Sequence, residues 1–564
     1  LLPEGAPMCI ALDDMPQNLP PNLPPLYDTS GKLNWSQGGV SFVNPLAELL
    51  RVYTAKSENL SANLQLSYKI FSGLRIKTDF GYSSFHTNEV GLHPLASIDP
   101  RSSSLAFSDF ASSEARSWII EPQLEYNTAI NKSNKRLLLA TSAQSDETNG
   151  ILINASNYVN DVLIESTSGA SSISSSSNYS LYRYQSIFGR LNYTYDNKYI
   201  ANISARKDGS SRFGPGKQYA NFGSALFAWI WSDEDFIKKR IPLISYGKLR
   251  VGYGTTGNDK IGDYQYLDTW YTITGAFLAP YQGISSLSPL KLYNPNFAWE
   301  VNRETEGAID IGLLENKLFF SINFYRNKSS NQLLNYTLPT QTGFSNVVQN
   351  SPATVLNTGW EFETSAQIMN RQAMKWSINA NLTIPKNELI SFPDLESSSY
   401  SNTYAIGQSI YIRKLLEYTG VDAVTGVYTF NGTAIPKDQV MVKDLQPRYY
   451  GGLQNQLSYR NLSISFLFQF IKQLGQNYLL GVSDAPGTKV NQPAEVLRRW
   501  QKNGDKTNIE RYTVGTGMAN TAYYNMRLYS SGSISDASYI RLKNISLSYQ
   551  FPPTMMERIR VKNA

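Results

Sequence analysis

Few folds accommodate the stretch PRYYGGLQNQLSYRNLSISFLFQFI, Pro447–Ile471. From Asn461 onward, Leu462, Ile464, Phe466, Phe468 and Phe470 fall on one face, and Asn461, Ser463, Ser465 and Gln469 on the other. A period of two belongs to a strand with one apolar face. Before it, Tyr449, Leu453, Leu457 and Tyr459 alternate with Tyr450, Gln454, Gln456, Ser458 and Arg460, so a tight Arg460-Asn461 turn makes the whole a hairpin. Each limb holds about ten residues, the length with which a strand tilted by roughly 45° crosses a bilayer; strands of soluble sandwiches run nearer five or six.

The same pattern recurs along the chain. Leu60–Phe71 and Leu74–Phe85 pair through Ser72-Gly73, and a long connection, His86–Arg116, follows. Trp118–Tyr126 and Leu137–Thr141 make a weaker pair, after which the Ser-rich tract Ser166–Ser180 reads as an exposed loop because it offers nothing to bury. Further hairpins are expected at Gln185–Tyr195 with Lys198–Arg206, Tyr219–Trp231 with Tyr246–Thr255, Trp299–Leu314 with Lys317–Arg326, and Gly359–Ile368 with Met374–Ile384. After the hairpin at Tyr449, Lys472–Ser535 reads as loop with one short helix, Ala494–Trp500, started by Pro493. Ser538–Phe551 is the last full strand, and Arg558–Lys562 begins another. Connections are short and long in strict alternation, which puts plain turns on one rim and bulky loops on the other, as in a membrane barrel. The fold class is therefore all-β, a large antiparallel transmembrane β-barrel. Residues 1–59 are expected to be an external loop region leading into it, and 60–564 the barrel with long extracellular loops.

Composition agrees. Mean hydropathy is −0.33 and no apolar run is long enough for a membrane helix, but a barrel escapes that filter because only alternate residues meet lipid. The 37 Tyr, 24 Phe and 9 Trp suit interfacial girdles. Net charge is +6 without a basic block, so no nucleic-acid partner is expected. Cys9 is the only cysteine, which excludes an internal disulfide and a Cys-based zinc site. The opening LLPEGAPMCIALDDM has no charged leader or cleavage site and reads as the middle of a loop.

Motifs with catalytic or cofactor precedent fail on context. Gly252, Gly254 and Gly257 match G-x-G-x-x-G, but NDKIGDYQYLDTWY after them lacks the 3.6-residue apolar period of a helix, so no nucleotide site is expected. His86 and His93 are the only histidines, seven apart in an expected loop, a spacing that fixes no metal or catalytic geometry. They read as surface residues. The segment Asp422–Thr433 has one carboxylate where a calcium loop needs several. Catalysis, metals and cofactors are accordingly not expected. The suggestive group is aromatic: Tyr264, Tyr266, Trp270, Tyr271 and Tyr281 crowd one external loop, where flat faces suit sugar rings or a protein partner, or else pack the loop on itself or on the barrel wall.

Seven phrases carry a family likeness: PLYDTSGKLNW (25–35), SIFGRLNYTYDNKYIANISARKDGSSRFG (186–214), GKLRVGYGTTGN (247–258), NPNFAWEVNRETEGAIDIGLLENKL (294–318), PRYYGGLQNQLSYRNLSIS (447–465), LRRWQKNGDKT (497–507) and DASYIRLKNISLSYQFP (536–552). With them the chain resembles the barrel portion of SusC/RagA-type TonB-dependent outer-membrane transporters of Bacteroidetes, over nearly its full length. The resemblance implies a 22-stranded barrel, of which about 15–16 strands are expected here, and a plug domain that is not expected within this chain. It also implies a SusD-like lipoprotein lid, the TonB complex as energy source, an oligosaccharide or peptide nutrient as cargo, and outer-membrane lipid around the wall. The acidic calcium-like loop of many relatives is degraded at Phe430–Ile435. A competing expectation is a surface glycan binder or adhesin that does not transport.

Overall fold

The computed structural model describes residues 23–272, 287–482, 484–488 and 490–551. Fifteen strands form one antiparallel sheet in which each strand pairs with its neighbours in sequence. In chain order they are β1 (Val52–Phe71), β2 (Leu74–His93), β3 (Ala106–Ile130), β4 (Ser133–Tyr158) and β5 (Ser172–Tyr195). Then come β6 (Tyr199–Ser210), β7 (Tyr219–Trp229), β8 (Ile244–Asn258), β9 (Glu300–Leu313) and β10 (Leu318–Ser330). The last five are β11 (Thr354–Asn370), β12 (Met374–Ser391), β13 (Tyr449–Tyr459), β14 (Leu462–Lys472) and β15 (Tyr539–Tyr549). The strand count and the hairpin at Tyr449 match the sequence reading. Among the described residues β1 and β15 each pair on one side.

Register sorts the two faces. Directly opposed residues share a face, and one continuous row runs Tyr195, Tyr199, Trp229, Leu249, Ile309, Ile322, Phe362, Leu382, Gly451, Phe470, Ile540. On the opposite face, a second row runs Lys248, Asp310, Ser321, Glu363, Asn381, Gly452, Gln469, Arg541. One side of the sheet is thus made for hydrocarbon and the other for water. The apolar row starts beside a short turn at Tyr195 and ends at the far end of β14, so successive strands are staggered in one direction, the stagger a tilted-strand cylinder requires.

Short turns join strands at one rim, helped by residues in left-handed conformation: Asn131, Asp196, Asn197, Glu315, Asn316 and Arg460. One connection on this rim is longer and holds the short helix α1 (Asp235–Arg240). The other rim carries the segments 94–105, 159–171, 211–218, 259–299, 331–353, 392–448 and 473–538.

Several strands run well beyond the lengths expected. The first starts at Val52 rather than Leu60, and the connection placed at His86–Arg116 is strand up to His93 and again from Ala106. The pair placed at Trp118–Tyr126 and Leu137–Thr141 spans all of β3 and β4. The Ser-rich tract is a loop only as far as 171; Ser172–Ser180 is strand, paired residue by residue with β4. A strand needs a partner's N–H and C=O groups rather than apolar side chains, and β4 supplies them. These extensions stand beyond the hydrocarbon and mix polar residues with a few apolar ones, such as the cross-strand row Val90, Phe110 and Ile153. Lys472–Ser535 contains an unexpected helix, α2 (Gly517–Tyr529), while the helix expected at Ala494–Trp500 is a 3₁₀ turn over Ala494–Arg498. The strand start expected at Arg558–Lys562 lies outside the described residues, as does Cys9.

Candidate functional site

The interior wall carries the first part of the candidate site. On its polar face Arg250 binds Asp310 through two N–H groups at 3.1 Å, and Ser321 donates to the same carboxylate at 2.7 Å. Nearby, Asn323 donates to Glu361 at 3.0 Å, and higher up Arg206 bridges Asp208 and the Tyr184 hydroxyl. Paired charges and amides in this density make a wall that water wets and apolar groups do not. The glycine motif lies here as well: Gly252, Gly254 and Gly257 are inside β8, paired with β9 along their length. A Cβ at Gly257 would come within 2.1 Å of the Phe222 ring, so close packing explains that glycine.

Buried apolar clusters sit at the loop-bearing rim, where loops meet the strand ends. Phe213, Phe222, Phe297 and Trp299 form one, with Tyr266 packed against it. Ala353, Val355, Leu389, Phe392 and Leu395 form another. A third is Ala106, Ala155, Tyr158 and Ile164, and the fourth joins the last two long loops through Tyr428, Leu479, Ala522, Tyr523 and Met526. Backbone bonds lock that union, since Leu416 donates to Tyr529 at 2.7 Å and receives from Ser531 at 2.8 Å. Inside it the Glu510 side chain is fully buried, its carboxylate meeting the Tyr428 N–H at 3.5 Å, and desolvation pushes its pKa up to about 8.

The five loop aromatics separate into distinct environments. Tyr264 adopts a left-handed conformation, and its hydroxyl accepts the Leu181 N–H at 2.9 Å, which ties the loop to β5. Tyr266 is in the Phe213 cluster. Trp270 and Tyr271 lie in a small hairpin, Thr269–Thr272 with Leu287–Lys291, and remain 56% and 48% exposed beside exposed Leu287, Leu290 and Tyr293. Tyr281 lies outside the described residues. The base of this loop is pinned by Arg212, which binds Asp263 at 2.8 Å and stacks 4.0 Å from the Tyr182 ring, whose hydroxyl donates to Asp259 at 2.7 Å. A fixed base and the exposed aromatic pair Trp270 and Tyr271 suit capture of a flat or chain-like ligand. Sequence reasoning named the aromatics but not the pins, because Arg212 and Asp263 are brought together only by folding.

The two histidines part as well. His86 and His93 both lie in β2 rather than in a loop, and His93 is buried, stacked 4.0 Å from Phe107 with Asp109 at 3.9 Å. Burial and the nearby Arg51 lower its pKa, so it is a neutral packing residue at the foot of the N-terminal segment. In the degraded calcium-like region, Asp438 accepts the Thr433 and Ala434 N–H groups, each at 2.8 Å, and Asp422 does the same for Val424 and Thr425. Both carboxylates close turns. Among the described residues no three metal-ligating side chains converge.

Comparison with known proteins places this architecture. The family described as TonB dependent receptor-like, beta-barrel has a model that matches residues 13–564. TonB-dependent receptor P3 of Formosa agariphila is 27% identical, the alignment covering 94% of this chain and 55% of that protein. TonB-dependent receptor SusC of Bacteroides thetaiotaomicron is 26% identical over 65% of this chain and 38% of its own. Among solved structures, that of the RagAB peptide transporter superposes with a TM-score of 0.79 at 21% identity, covering 96% of this chain and 60% of that one. The chain spans about half the length of the curated relatives it matches, 55% and 48% for the first two.

Proposed function

Since the chain belongs to the TonB-dependent receptor-like β-barrel family, in its SusC/RagA type, we propose that it is the barrel wall and external loop system of an outer-membrane nutrient importer. The cargo is a bulky polar nutrient, an oligosaccharide or a peptide, taken from a SusD-like lipoprotein at the loop-bearing rim and admitted by energy delivered through the TonB complex. The observation that carries this reading is the asymmetry of the sheet: an apolar outer face, a hydrogen-bonded polar inner face, one plain rim and one rim built into small folded units. No covalent step is part of it. Loop aromatics such as Trp270 and Tyr271 hold the ligand, and the interior wall offers it alternating donors and acceptors on its way inward.

The test is uptake by the parent bacterium with the gene intact or deleted. Depletion of defined oligosaccharide and peptide mixtures from the medium is followed by mass spectrometry, with and without a protonophore. Loss of uptake of one class on deletion, matched by the protonophore, supports import. Unchanged uptake with reduced surface binding would instead favour the adhesin reading.

A further inference from the structure

A groove on the lipid-facing side of the wall has the make-up of a headgroup site. Its floor is Ala143 and Gly209, its walls are Trp118 and Tyr219, and Ser145, Arg183, Gln185 and Ser211 are among its other lining residues, around an open space of about 400 Å³. Register puts these groups on the outer face: Ala143 opposes Gln185, Gln185 opposes Gly209, and Gly209 opposes Tyr219, while Trp118 opposes Ser145 and Ser145 opposes Arg183. Ile187, Leu191 and Ile203, exposed on that same face, continue it toward the short turns. The small floor matters, because a Cβ at Gly209 would come within 2.6 Å of the Tyr219 ring and close the gap between the walls.

Height fixes the surroundings. Gln185, Gly209 and Tyr219 each lie about ten residues from the short-turn end of their strands, the span that carries a tilted strand through hydrocarbon. The groove therefore opens at the outer-leaflet headgroups, the depth at which exposed Trp and Tyr collect. Arg183 lines it, and Lys207 stands beside it on the same face. Arg183 has no carboxylate partner among the described residues, and Lys207 also lacks one, its ammonium standing 5.2 Å from the Tyr219 ring centroid. On β3 and β4 the acids of this face, Glu114 and Glu147, lie farther from the short turns, where Arg116 binds Glu114 at 2.7 Å and opposes Glu147 in register. Exposed cations at an apolar boundary are half of an ion pair, and a guanidinium fork matches phosphate oxygens.

We propose that this groove binds the phosphate-bearing headgroup of an outer-leaflet glycolipid. Arg183 and Lys207 hold the phosphate, sugar rings lie between Trp118 and Tyr219, and acyl chains run down over Ile187, Leu191 and Ile203. The site rests on the outer face meeting lipid, and not on which nutrient passes through the lumen.

The experiment is native mass spectrometry of the protein extracted from membranes and exchanged into detergent with added lipid A, compared with dephosphorylated lipid A. The wild type is expected to retain the phosphorylated form at least tenfold better. The double variant Arg183→Gln/Lys207→Gln should lose that preference, and Lys317→Gln at the opposite rim should keep it. Equal retention of both lipids by the wild type, or a double variant that binds like the wild type, overturns the proposal. Because the wild-type comparison stands alone, a double variant that fails to assemble leaves the question decidable, and a failed uptake assay does not touch it.

Discussion

Phe466 and Ser465 are consecutive residues that meet different solvents. Phe466 opposes Ile545 and stacks edge-on against Phe468, whereas Ser465 opposes Gln456 and Ser546 on the polar face. Arg at Phe466, near mid-strand, is expected to cost about 2–4 kcal/mol in unfolding from lipid, and Arg at Ser465 far less. Equal costs in urea titrations of the reconstituted barrel would mean the faces are assigned wrongly. A buried residue gives a second test. The Glu510 carboxyl has its pKa raised to about 8 from an ordinary 4.5, so the folded loops favour the protonated form. Their stability is then greatest below about pH 4.5 and declines as pH rises through about 8, by roughly a few kcal/mol for a buried acid. Glu510→Gln should flatten that decline, read as hydrogen exchange at Tyr428 and in α2 across the range. An unchanged pH profile in the variant would assign the dependence to another group.

Loops and strands are stabilised by different means. Strand pairs hold through backbone bonds and cross-strand contacts, so even the Ser-rich start of β5 is ordered by β4. The long loops hold through small aromatic cores and a few ionic pins. Arg212 is the pin of 259–299, with Asp263, the Asp259 carbonyl and the Tyr182 ring around one guanidinium. Arg212→Ala is expected to cost about 1–3 kcal/mol locally, and to expose the base of that loop to limited proteolysis while the barrel keeps its resistance to unfolding in detergent. Turns make the opposite demand. Gly73 has φ +93°, and a Cβ there would stand 2.3 Å from the Asn127 carbonyl oxygen. Gly73→Ala should therefore cost about 1–3 kcal/mol through backbone strain, measured as slower assembly of the heat-resistant barrel. An unaffected assembly rate would show that the turn has another conformation open to it.

For the molecule as a whole, the two rims make the orientation testable. Val162 and Val514 stand 83% and 88% exposed on the ornate rim, and the Glu315 side chain is 90% exposed on the plain one. In a Cys9→Ser background, cysteines at Val162 and Val514 should react with an impermeant maleimide on intact cells, and one at Glu315 only after permeabilisation. Uniform labelling would remove the distinction between outer and inner rims on which the proposed import depends. The hairpins, their order and the plain rim were legible in the sequence because each rests on neighbours a few residues apart: alternation such as Leu462 to Phe470, and turn formers such as Asn197 and Asn316. The ornate rim was legible mainly as length. Tyr264 and Trp270 look alike in the sequence, yet one bonds the Leu181 backbone and the other faces solvent. α2 escaped because its buried stripe, Ala519, Ala522, Tyr523 and Met526, is short and half made of alanines, and it is fixed only by folding against Tyr428 from a loop far upstream.

What the sequence determined by itself is the wall: a side-chain period of two, repeated at bilayer length, can satisfy its backbone and its apolar face only as paired strands with lipid on one side. What the tertiary structure alone decided is everything that depends on residues distant in the chain meeting. The pinning of Arg212, the burial of Glu510 and His93, and the grouping of Trp118, Arg183 and Tyr219 into one groove are of this kind. The physical reason is range. Strand patterning is a local property of the backbone, whereas clusters and grooves are set by register and loop closure, which no short window of sequence contains.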